Sequence, residues 1–297
     1  MVDPAGLITP AEPGMPPAPL TGPRRHSGVT DDRRPRLVAS DLDGTLLRSD
    51  GRVSAYTARI WRALPAAGVE TVLVTARPPR WLHALAHVVG PRGVALCGNG
   101  AFVYDVGRRT VLAAHCFDRD VLLGVVADLR ETLPGVVLAA ERAHGAFFEP
   151  GWPDPHAPWE TTTPEWGSGS AIAEQPVGKL LALWPGHPVQ DFLDVVEKVV
   201  GDRGHLAYSG AHGLAEINPR GVGKATALAD WCRELGIGSA DVWAFGDMPN
   251  DLPMLRWAGR AYAVANAHAE VHSVATHTCP ANDDDGVARA LEPLLIR

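Results

Sequence analysis

Residues 37–47, which read Leu-Val-Ala-Ser-Asp-Leu-Asp-Gly-Thr-Leu-Leu, constrain the fold of this chain more than any other stretch. The apolar residues 37–39 are typical of a short buried parallel strand, and Asp41 and Asp43 follow where this strand should end. Open α/β folds bind their ligands at the carboxyl edge of the sheet. Two neighbouring carboxylates repel each other, so the pattern predicts a hard divalent cation such as Mg²⁺ at this edge. Taken alone, these residues also fit an ordinary acidic turn.

Thr75 marks the end of a second predicted strand. It follows the β-branched run at residues 69–74 and precedes Ala76-Arg77-Pro78. If this strand neighbours the first one in the sheet, the Thr75 hydroxyl can hold a phosphate oxygen beside the carboxylates. The alternative is a threonine that simply ends a strand before a proline-containing turn.

Lys224 and the segment 246–251 add two signals in the second half of the chain. Lys224 starts a predicted helix, where a lysine opposes the helix dipole unless an anion binds there. The segment 246–251, Gly-Asp-Met-Pro-Asn-Asp, follows another predicted buried strand and carries Asp247, Asn250 and Asp251. These side chains form a second acidic edge to match the first. Exposed lysines and helix-capping residues are common, so each signal also has an ordinary structural explanation.

The order of these four signals along the chain resembles the haloacid dehalogenase superfamily of phosphohydrolases. Within it, the chain resembles the Cof-type group, or type IIB, whose cap is inserted between the second and third motifs. The resemblance covers about residues 36–297. It implies an α/β fold, with a doubly wound, parallel-sheet, Rossmann-like core and an inserted α+β cap domain.

This resemblance predicts a division of the chain into a core and an insertion. The core is expected at residues 36–116 and 214–297, and the cap at residues 117–213, where strand and helix patterns alternate. The cap should close over the site and select the leaving group. Residues 1–35 are dense in proline and are expected to form a disordered extension.

The resemblance also implies catalytic roles for four residues. Asp41 would be the nucleophile that becomes an aspartyl phosphate, and Asp43 would act as general acid and base toward the leaving alkoxide and the hydrolytic water. Thr75 and Lys224 would hold the transferring phosphoryl oxygens, because positioning and charge neutralisation are the main demands of phosphoryl transfer.

The same resemblance implies an Mg²⁺ site made by both acidic edges. Asp247 would bind the ion directly, together with the Asp41 side chain and the Asp43 backbone carbonyl, and Asp251 would complete the acidic site and order its ligands.

Three further residues are implied as contacts to the substrate. Arg77 and Asn99 would meet it beside the phosphate, and Asn250 lies on the turn that carries the second acidic edge. Lys179 and the tryptophan-rich loop at residues 149–167 are further candidates for substrate contact, but an ordinary strand lysine and a core-packed tryptophan cluster are the favoured interpretations.

Composition narrows the class of ligand. The chain has 27 lysines and arginines against 34 aspartates and glutamates, a net charge of −7, which argues against nucleic acid or anionic lipid as a partner. No apolar run reaches the roughly 18 residues of a membrane span, and the four cysteines are far apart, as in a reduced cytoplasmic protein. The sequence therefore predicts a small phosphorylated metabolite as substrate, with a sugar phosphate favoured, and no obligate protein partner.

Other functions remain compatible with an aspartate and a metal at a sheet edge. A phosphomutase or phosphotransferase could use the same intermediate, and a receiver-like signalling module could bind phosphate without hydrolysing it. A glycosyltransferase could use the Asp-x-Asp pair to bind a nucleotide-sugar, but it leaves Lys224 and the segment 246–251 unexplained.

Overall fold

The computed structural model of the protein describes residues 34–90, 93–153, 163–209 and 213–296, so the predicted extension lies outside it apart from residues 34–35. The described strands are β1 (Leu37–Ser40), β2 (Glu70–Val74), β3 (Val94–Cys97), β4 (Phe102–Asp105), β5 (Thr110–Ala114), β6 (Val137–Arg142), β7 (Gly145–Phe148), β8 (Glu165–Trp166), β9 (Lys179–Leu183), β10 (Gly204–Ala207), β11 (Leu214–Pro219), β12 (Val242–Gly246), β13 (Arg260–Val264) and β14 (His277–Cys279). The α-helices are α1 (Ala55–Ala63), α2 (Ala86–Val89), α3 (Arg119–Thr132), α4 (Val189–Val200), α5 (Lys224–Glu234), α6 (Leu252–Trp257), α7 (Ala269–Val274) and α8 (Gly286–Leu291).

The first sheet has the strand order β14-β13-β12-β1-β2-β3-β4-β5. Strands β14 to β3 along this order are parallel, and the hairpin of β4 and β5 continues the sheet in antiparallel fashion. Because successive residues of a strand point to opposite faces, Val38 packs in one hydrophobic cluster with α1, α2 and α8, while Leu37 and Ala39 pack in another with α5, α6 and α7. The predicted doubly wound α/β core is therefore confirmed.

The second sheet has the strand order β10-β11-β9-β6-β7-β8 and is antiparallel except for the pairing of β7 with β8. Helices α3 and α4 cover one of its faces, where Leu129 and Phe192 are fully buried. The chain leaves the first sheet after β5, builds the second, and returns at β12, which is the topology of an insertion.

One predicted boundary is wrong. The division between residues 213 and 214 assigned β11 to the core, but this strand pairs with β9 and β10 in the second sheet. Its side chains alternate between the helix-covered face, where Ala215 and Ile217 are buried, and the opposite face, so the second sheet extends to Pro219. In the part of the chain that the structure describes, no helix is long and apolar enough to cross a membrane.

Candidate active site

The two acidic edges predicted from the sequence lie side by side because β1 and β12 are neighbouring parallel strands. Ser40 is in register with Phe245, and the Asp41 N–H donates to the Phe245 carbonyl at 3.0 Å. Asp41 and Asp247 therefore leave their strands at the same sheet edge, where Asp251 joins them. Ligand oxygens of these three buried aspartates lie within 4.8 Å of one another.

The tight turn after β1 fits closely around Asp247. Gly44 has a φ of +78°, and a Cβ at this position would lie only 2.3 Å from Asp247 Oδ2. Only glycine allows both the left-handed backbone and this close approach. The next residue, Thr45, donates its hydroxyl hydrogen to Asp247 Oδ1 at 2.8 Å. The Gly-Thr pair therefore fixes the orientation of a carboxylate that comes from the other end of the chain.

Lys224 lies at the first position of α5 and points into the acidic cluster. Its Nζ donates to Asp41 Oδ1 and to Asp251 Oδ1, each at 2.6 Å. The other oxygen of Asp251 accepts hydrogen bonds from the backbone N–H groups of Asp247 and Met248 at 3.1 Å. Asp251 thus ties the lysine to the turn that carries Asp247.

The cluster carries more negative than positive charge. Burial raises the pKa of Asp41 well above its usual value, against the lowering effect of Lys224. Burial, together with Asp251, also raises the pKa of Asp247 to about 6. Burial by itself would lower the pKa of Lys224, but Asp251 and Asp41 outweigh it and the pKa is raised. One lysine is therefore fully charged among three carboxylates that lack a second cation among the described residues.

Asp43 and Arg77 form an ion pair next to this cluster. The Arg77 Nε and Nη2 donate to the two oxygens of Asp43 at 2.7 and 2.5 Å. The Asp43 side chain is 56% exposed, and its carboxylate lies outside the group of three aspartates. Of the residues proposed as metal ligands, Asp43 is therefore the one whose contribution would come from its backbone carbonyl.

Thr75 follows β2, directly beside the end of β1, since Ser40 is in register with Leu73. It is 1% exposed, and its hydroxyl oxygen accepts the Arg77 N–H at 3.1 Å. The predicted neighbourhood of Thr75 and the acidic edge requires β1 and β2 to be adjacent, and they are.

Asn99 and Asn250 lie where the two sheets meet. Asn99 is 1% exposed, has a φ of +57°, and donates from Nδ2 to Glu216 of the second sheet at 3.0 Å. Asn250 Nδ2 lies 3.5 Å from Asn99 Oδ1. Asn99 therefore connects the first sheet to the second.

Three charged residues at this junction were missed by the sequence reasoning, and one was undervalued. Glu216 accepts from Lys179 Nζ at 2.8 Å, and Lys179 also donates to the Ala76 carbonyl at 2.7 Å. Arg80 binds both oxygens of Glu141 in a buried ion pair. The missed residues are Arg80, Glu141 and Glu216, and Lys179 is more than an ordinary strand lysine. Their partners are distant in sequence, so no local pattern marks them.

A cleft of about 420 Å³ lies between the two sheets. Its floor includes Asp41, Asp43 and Lys224, and its roof includes Lys179 and Glu216. This volume is within the range of small-molecule sites. The acidic cluster therefore opens into a cavity that could hold a metabolite.

Comparison with known proteins agrees with this geometry. The family model described as haloacid dehalogenase-like hydrolase matches residues 38–291. The chain belongs to the haloacid dehalogenase-like hydrolase family. The resemblance predicted from the four motifs, including its Cof-type group, is confirmed.

Two relatives and one solved structure illustrate the range of this hydrolase family. The chain is 28% identical over 269 residues to the 5-amino-6-(5-phospho-D-ribitylamino)uracil phosphatase YitU of Bacillus subtilis (strain 168), covering 88% of this chain and 98% of the relative. It is 29% identical over 262 residues to a phosphoglycolate phosphatase of Halorubrum lacusprofundi, covering 88% and 97%. The HAD subclass IIB sugar phosphatase BT4131 matches 88% of this chain and all of its own, with a TM-score of 0.72 and 18% identity, and so supports the fold.

Proposed function

We propose that this hydrolase is an Mg²⁺-dependent phosphatase that cleaves a small phosphorylated metabolite through an aspartyl phosphate on Asp41. The observation that carries the proposal is the charge imbalance of the buried cluster, in which three carboxylates share one lysine. A buried cluster of this kind is stable as an anion only if further positive charge is supplied.

The donor set of the cluster fits Mg²⁺. Hard carboxylate oxygens are the ligands that this ion prefers, and few protein ligands suffice because the ion keeps several waters. Asp41 and Asp247 would bind it directly, Asp251 would orient the turn and Lys224, and the Asp43 backbone carbonyl would be a further ligand. When bound, the ion neutralises charge on the phosphoryl group and on the attacking carboxylate.

The chain's own residues then have separate tasks. Asp41, held by Lys224, attacks the phosphorus atom, and the bond from phosphorus to the ester oxygen breaks. Lys224 and Thr75 hold the transferring oxygens, which accept hydrogen bonds more strongly as charge develops on them. Hydrolysis of the aspartyl phosphate returns Asp41 and releases inorganic phosphate.

Asp43 would donate a proton to the leaving alkoxide and later take one from the attacking water. Its carboxylate accepts two hydrogen bonds from Arg77 and lines the cleft beside the acidic cluster. Because Arg77 holds both oxygens of Asp43, we expect Arg77 to turn from Asp43 toward the substrate phosphate when Asp43 acts as the acid. Asp43 is exposed at the cleft and can meet the substrate there, whereas the Arg77 side chain is mostly buried.

The test is release of inorganic phosphate from a panel of phosphorylated metabolites, with Mg²⁺ and with a chelator. Asp41→Asn keeps the size of the side chain but removes the nucleophile, so we expect turnover to fall by at least about 10³-fold. The matched control is Asp230→Asn on the exposed side of the same helix that carries Lys224, where Asp230 pairs with Arg233. Turnover that survives chelation, or that Asp41→Asn leaves intact, would rule the proposal out.

A further inference from the structure

The residues that line the cleft beyond the acidic cluster would contact the leaving group of the substrate. Their charge and polarity therefore indicate which leaving groups the cleft can bind. The inference below rests on the proposed phosphatase function and specifies its substrate class. Its starting point is the face of the second sheet that forms the roof, where Glu141, Lys179 and Glu216 point toward the first sheet.

Every lysine and arginine that lines the cleft, in the described part of the chain, is already paired with a carboxylate. Lys224 binds Asp41 and Asp251, Arg77 binds Asp43, and Lys179 binds Glu216. Beyond the phosphate position, the lining that the structure describes therefore offers no lysine or arginine without a carboxylate partner.

The carboxylates of the roof are satisfied without a ligand. Glu216 accepts from Lys179, Asn99 and Ser209, and Glu141 is held by Arg80. Both carboxylates are buried. A second anionic group on the substrate would therefore leave water for a cleft whose lysines and arginines are already paired with carboxylates, so its loss of hydration would not be compensated. A neutral hydroxyl or amide can instead share the hydrogen bonds of these groups.

The roof becomes apolar with distance from the first sheet. Lys179 lies opposite Glu141, and these two residues contact the first sheet through Ala76 and Arg80. Leu181 lies two residues farther along β9 on the same face, about 6–7 Å away. Leu214 lies two residues from Glu216, on the same face of β11.

The side chains at the apolar end of the cleft are held in place by packing. Leu181 packs against Phe148 in a small hydrophobic cluster, with Trp152 and Leu214 packed on it. Trp81 of the first sheet's side also lines the cleft. An apolar or flat ring in the leaving group would bury its surface against these side chains.

We infer that the preferred substrate is the phosphate monoester of a neutral alcohol with hydroxyl groups near the phosphate and an apolar or aromatic part beyond them. Phosphorylated acids and bisphosphates should be poorer substrates, because every lysine and arginine in the described lining of the cleft is already paired with a carboxylate. The relatives do not decide this point, because one is named for a neutral ribityl-uracil phosphate and another for the phosphate of a carboxylic acid.

Two matched pairs of substrates test the two halves of the inference with the wild-type enzyme and Mg²⁺. Glycerol 3-phosphate and 3-phosphoglycerate differ only by a carboxylate in place of a hydroxymethyl group, and we expect kcat/KM to be at least about 30-fold lower for the acid. Uridine 5′-monophosphate and ribose 5-phosphate differ by the aromatic base, and we expect kcat/KM to be at least about tenfold higher with the base.

A variant should reverse the charge preference. Leu214→Lys places a cation on the half-buried wall, so the ratio of kcat/KM for 3-phosphoglycerate over glycerol 3-phosphate should rise at least about tenfold. The matched control is Leu235→Lys at the end of α5, which does not line the cleft and should leave this ratio unchanged.

Calorimetric binding of the same four esters to Asp41→Asn with Mg²⁺ separates this inference from the proposed function. Tighter binding of the neutral and aromatic esters without any turnover by the wild type would refute the phosphatase proposal and leave the inference standing. Equal or better turnover or binding of 3-phosphoglycerate would overturn the charge exclusion. Equal turnover and binding of uridine 5′-monophosphate and ribose 5-phosphate would overturn the inference that the cleft prefers an apolar or aromatic part. Binding of none of the four esters would overturn both the inference and the proposed function.

Discussion

Two buried clusters of a lysine with carboxylates face the same cleft, and they differ in charge balance. In the cluster of the first sheet, Lys224 is the single cation for Asp41, Asp247 and Asp251. The cluster of the second sheet matches one lysine with one carboxylate, Lys179 with Glu216, and completes it with neutral donors.

The difference appears in the carboxylate pKa values. In the first cluster, burial raises the pKa of Asp41 and brings that of Asp247 to about 6. In the second, burial alone would raise the pKa of Glu216, but Lys179 and two neutral donors outweigh it and the pKa is lowered. A buried carboxylate with too few cations and hydrogen-bond donors around it binds an added cation favourably. A buried carboxylate with a full set of such partners can instead link two parts of a fold. The first cluster is accordingly suited to metal-dependent chemistry and the second to positioning the roof.

Removing the lysine from each cluster should give the largest contrast. We expect Lys224→Met to lower kcat by about 10³-fold or more, because it removes the fixed charge beside the nucleophile and the phosphoryl group. Lys179→Met, its matched control with the same change at the same depth, should lower kcat by no more than about tenfold. Phosphate release with saturating Mg²⁺ measures both, and similar losses in the two variants would mean that the clusters share one function.

Lys179→Met should have little effect on kcat but a large effect on the free energy of unfolding. This variant leaves Glu216 buried without its cation, and we expect a loss of about 3–5 kcal/mol in the free energy of unfolding. Adding Glu216→Gln should recover at least half of that loss, because the uncompensated charge is removed. Arg220→Met, which breaks the exposed pair with Asp202, should hardly move the urea midpoint. A Lys179→Met protein as stable as the wild type would show that the second cluster does not join the sheets.

Mg²⁺ should stabilise the protein in a pH-dependent way through the first cluster. As the pH falls through about 6, folded metal-free protein takes up a proton at Asp247, while the unfolded chain ionises this group near 3.8. Metal-free stability from this group therefore rises as the pH falls, and Mg²⁺ has to displace that proton. We expect a gain of about 2–3 kcal/mol with Mg²⁺ at 100 times its Kd near neutral pH, and a much smaller gain at the same concentration below about pH 5.5.

Thermal unfolding with Mg²⁺ and with chelator at the two pH values measures this effect. Asp247→Asn should abolish both the metal response and its pH dependence. If Mg²⁺ stabilised the protein equally at both pH values, the prediction that Asp247 binds the metal would be wrong.

The smallest expected effect concerns the ion pair of Arg77 with Asp43. Arg77→Lys keeps the charge but loses the bidentate geometry, and we expect kcat/KM to fall about tenfold with little change in stability. Arg48→Lys is the matched control, because Arg48 makes the same two-bond pair with Asp285 outside the catalytic cleft. An equal loss of kcat/KM in both variants would show that the effect is not specific to Asp43.

Much of the fold follows from local sequence patterns. Ser54 caps α1 and Asp118 caps α3 through their side-chain oxygens, as expected from residue type and position. The hairpin of β4 and β5 and the strand ends that carry Asp41 and Asp247 are also readable, because short apolar runs followed by turn residues indicate buried parallel strands.

Other elements cannot be predicted from local sequence patterns, and each has a physical reason. The sequence pattern at residues 80–89 is typical of one helix, but the chain forms a 3₁₀ segment, Pro79–Leu85, that begins at two consecutive prolines and is followed by the single turn of α2. Strand β14 extends the sheet beyond β13, but it has only three residues, which is too short for a recognisable strand pattern. The three acidic residues at 283–285 fit a cap of the last helix by type and position, but the Asp285 side chain accepts hydrogen bonds from Arg48 and Thr57 instead.

The candidate site also has one part that local sequence patterns predict and one part that they do not. The first cluster is predictable because its members follow strand or helix boundaries in recognisable motifs. The second is not, since Glu216 meets Lys179 diagonally across two strands and Asn99 across two sheets. Such contacts depend on how the sheets pack, which no short stretch of sequence specifies.

The most direct test of the charge-deficient cluster as a nucleophilic site is to trap the covalent intermediate. The protein is mixed with a cleaved phosphate ester and Mg²⁺, quenched in acid during turnover, digested and examined by mass spectrometry. We predict one added phosphoryl group on the peptide that contains Asp41, lost when a chelator replaces Mg²⁺ and absent in Asp41→Asn. Metal-dependent turnover with the phosphoryl group on another residue, or with no labelled peptide under conditions that preserve acyl phosphates, would contradict the account.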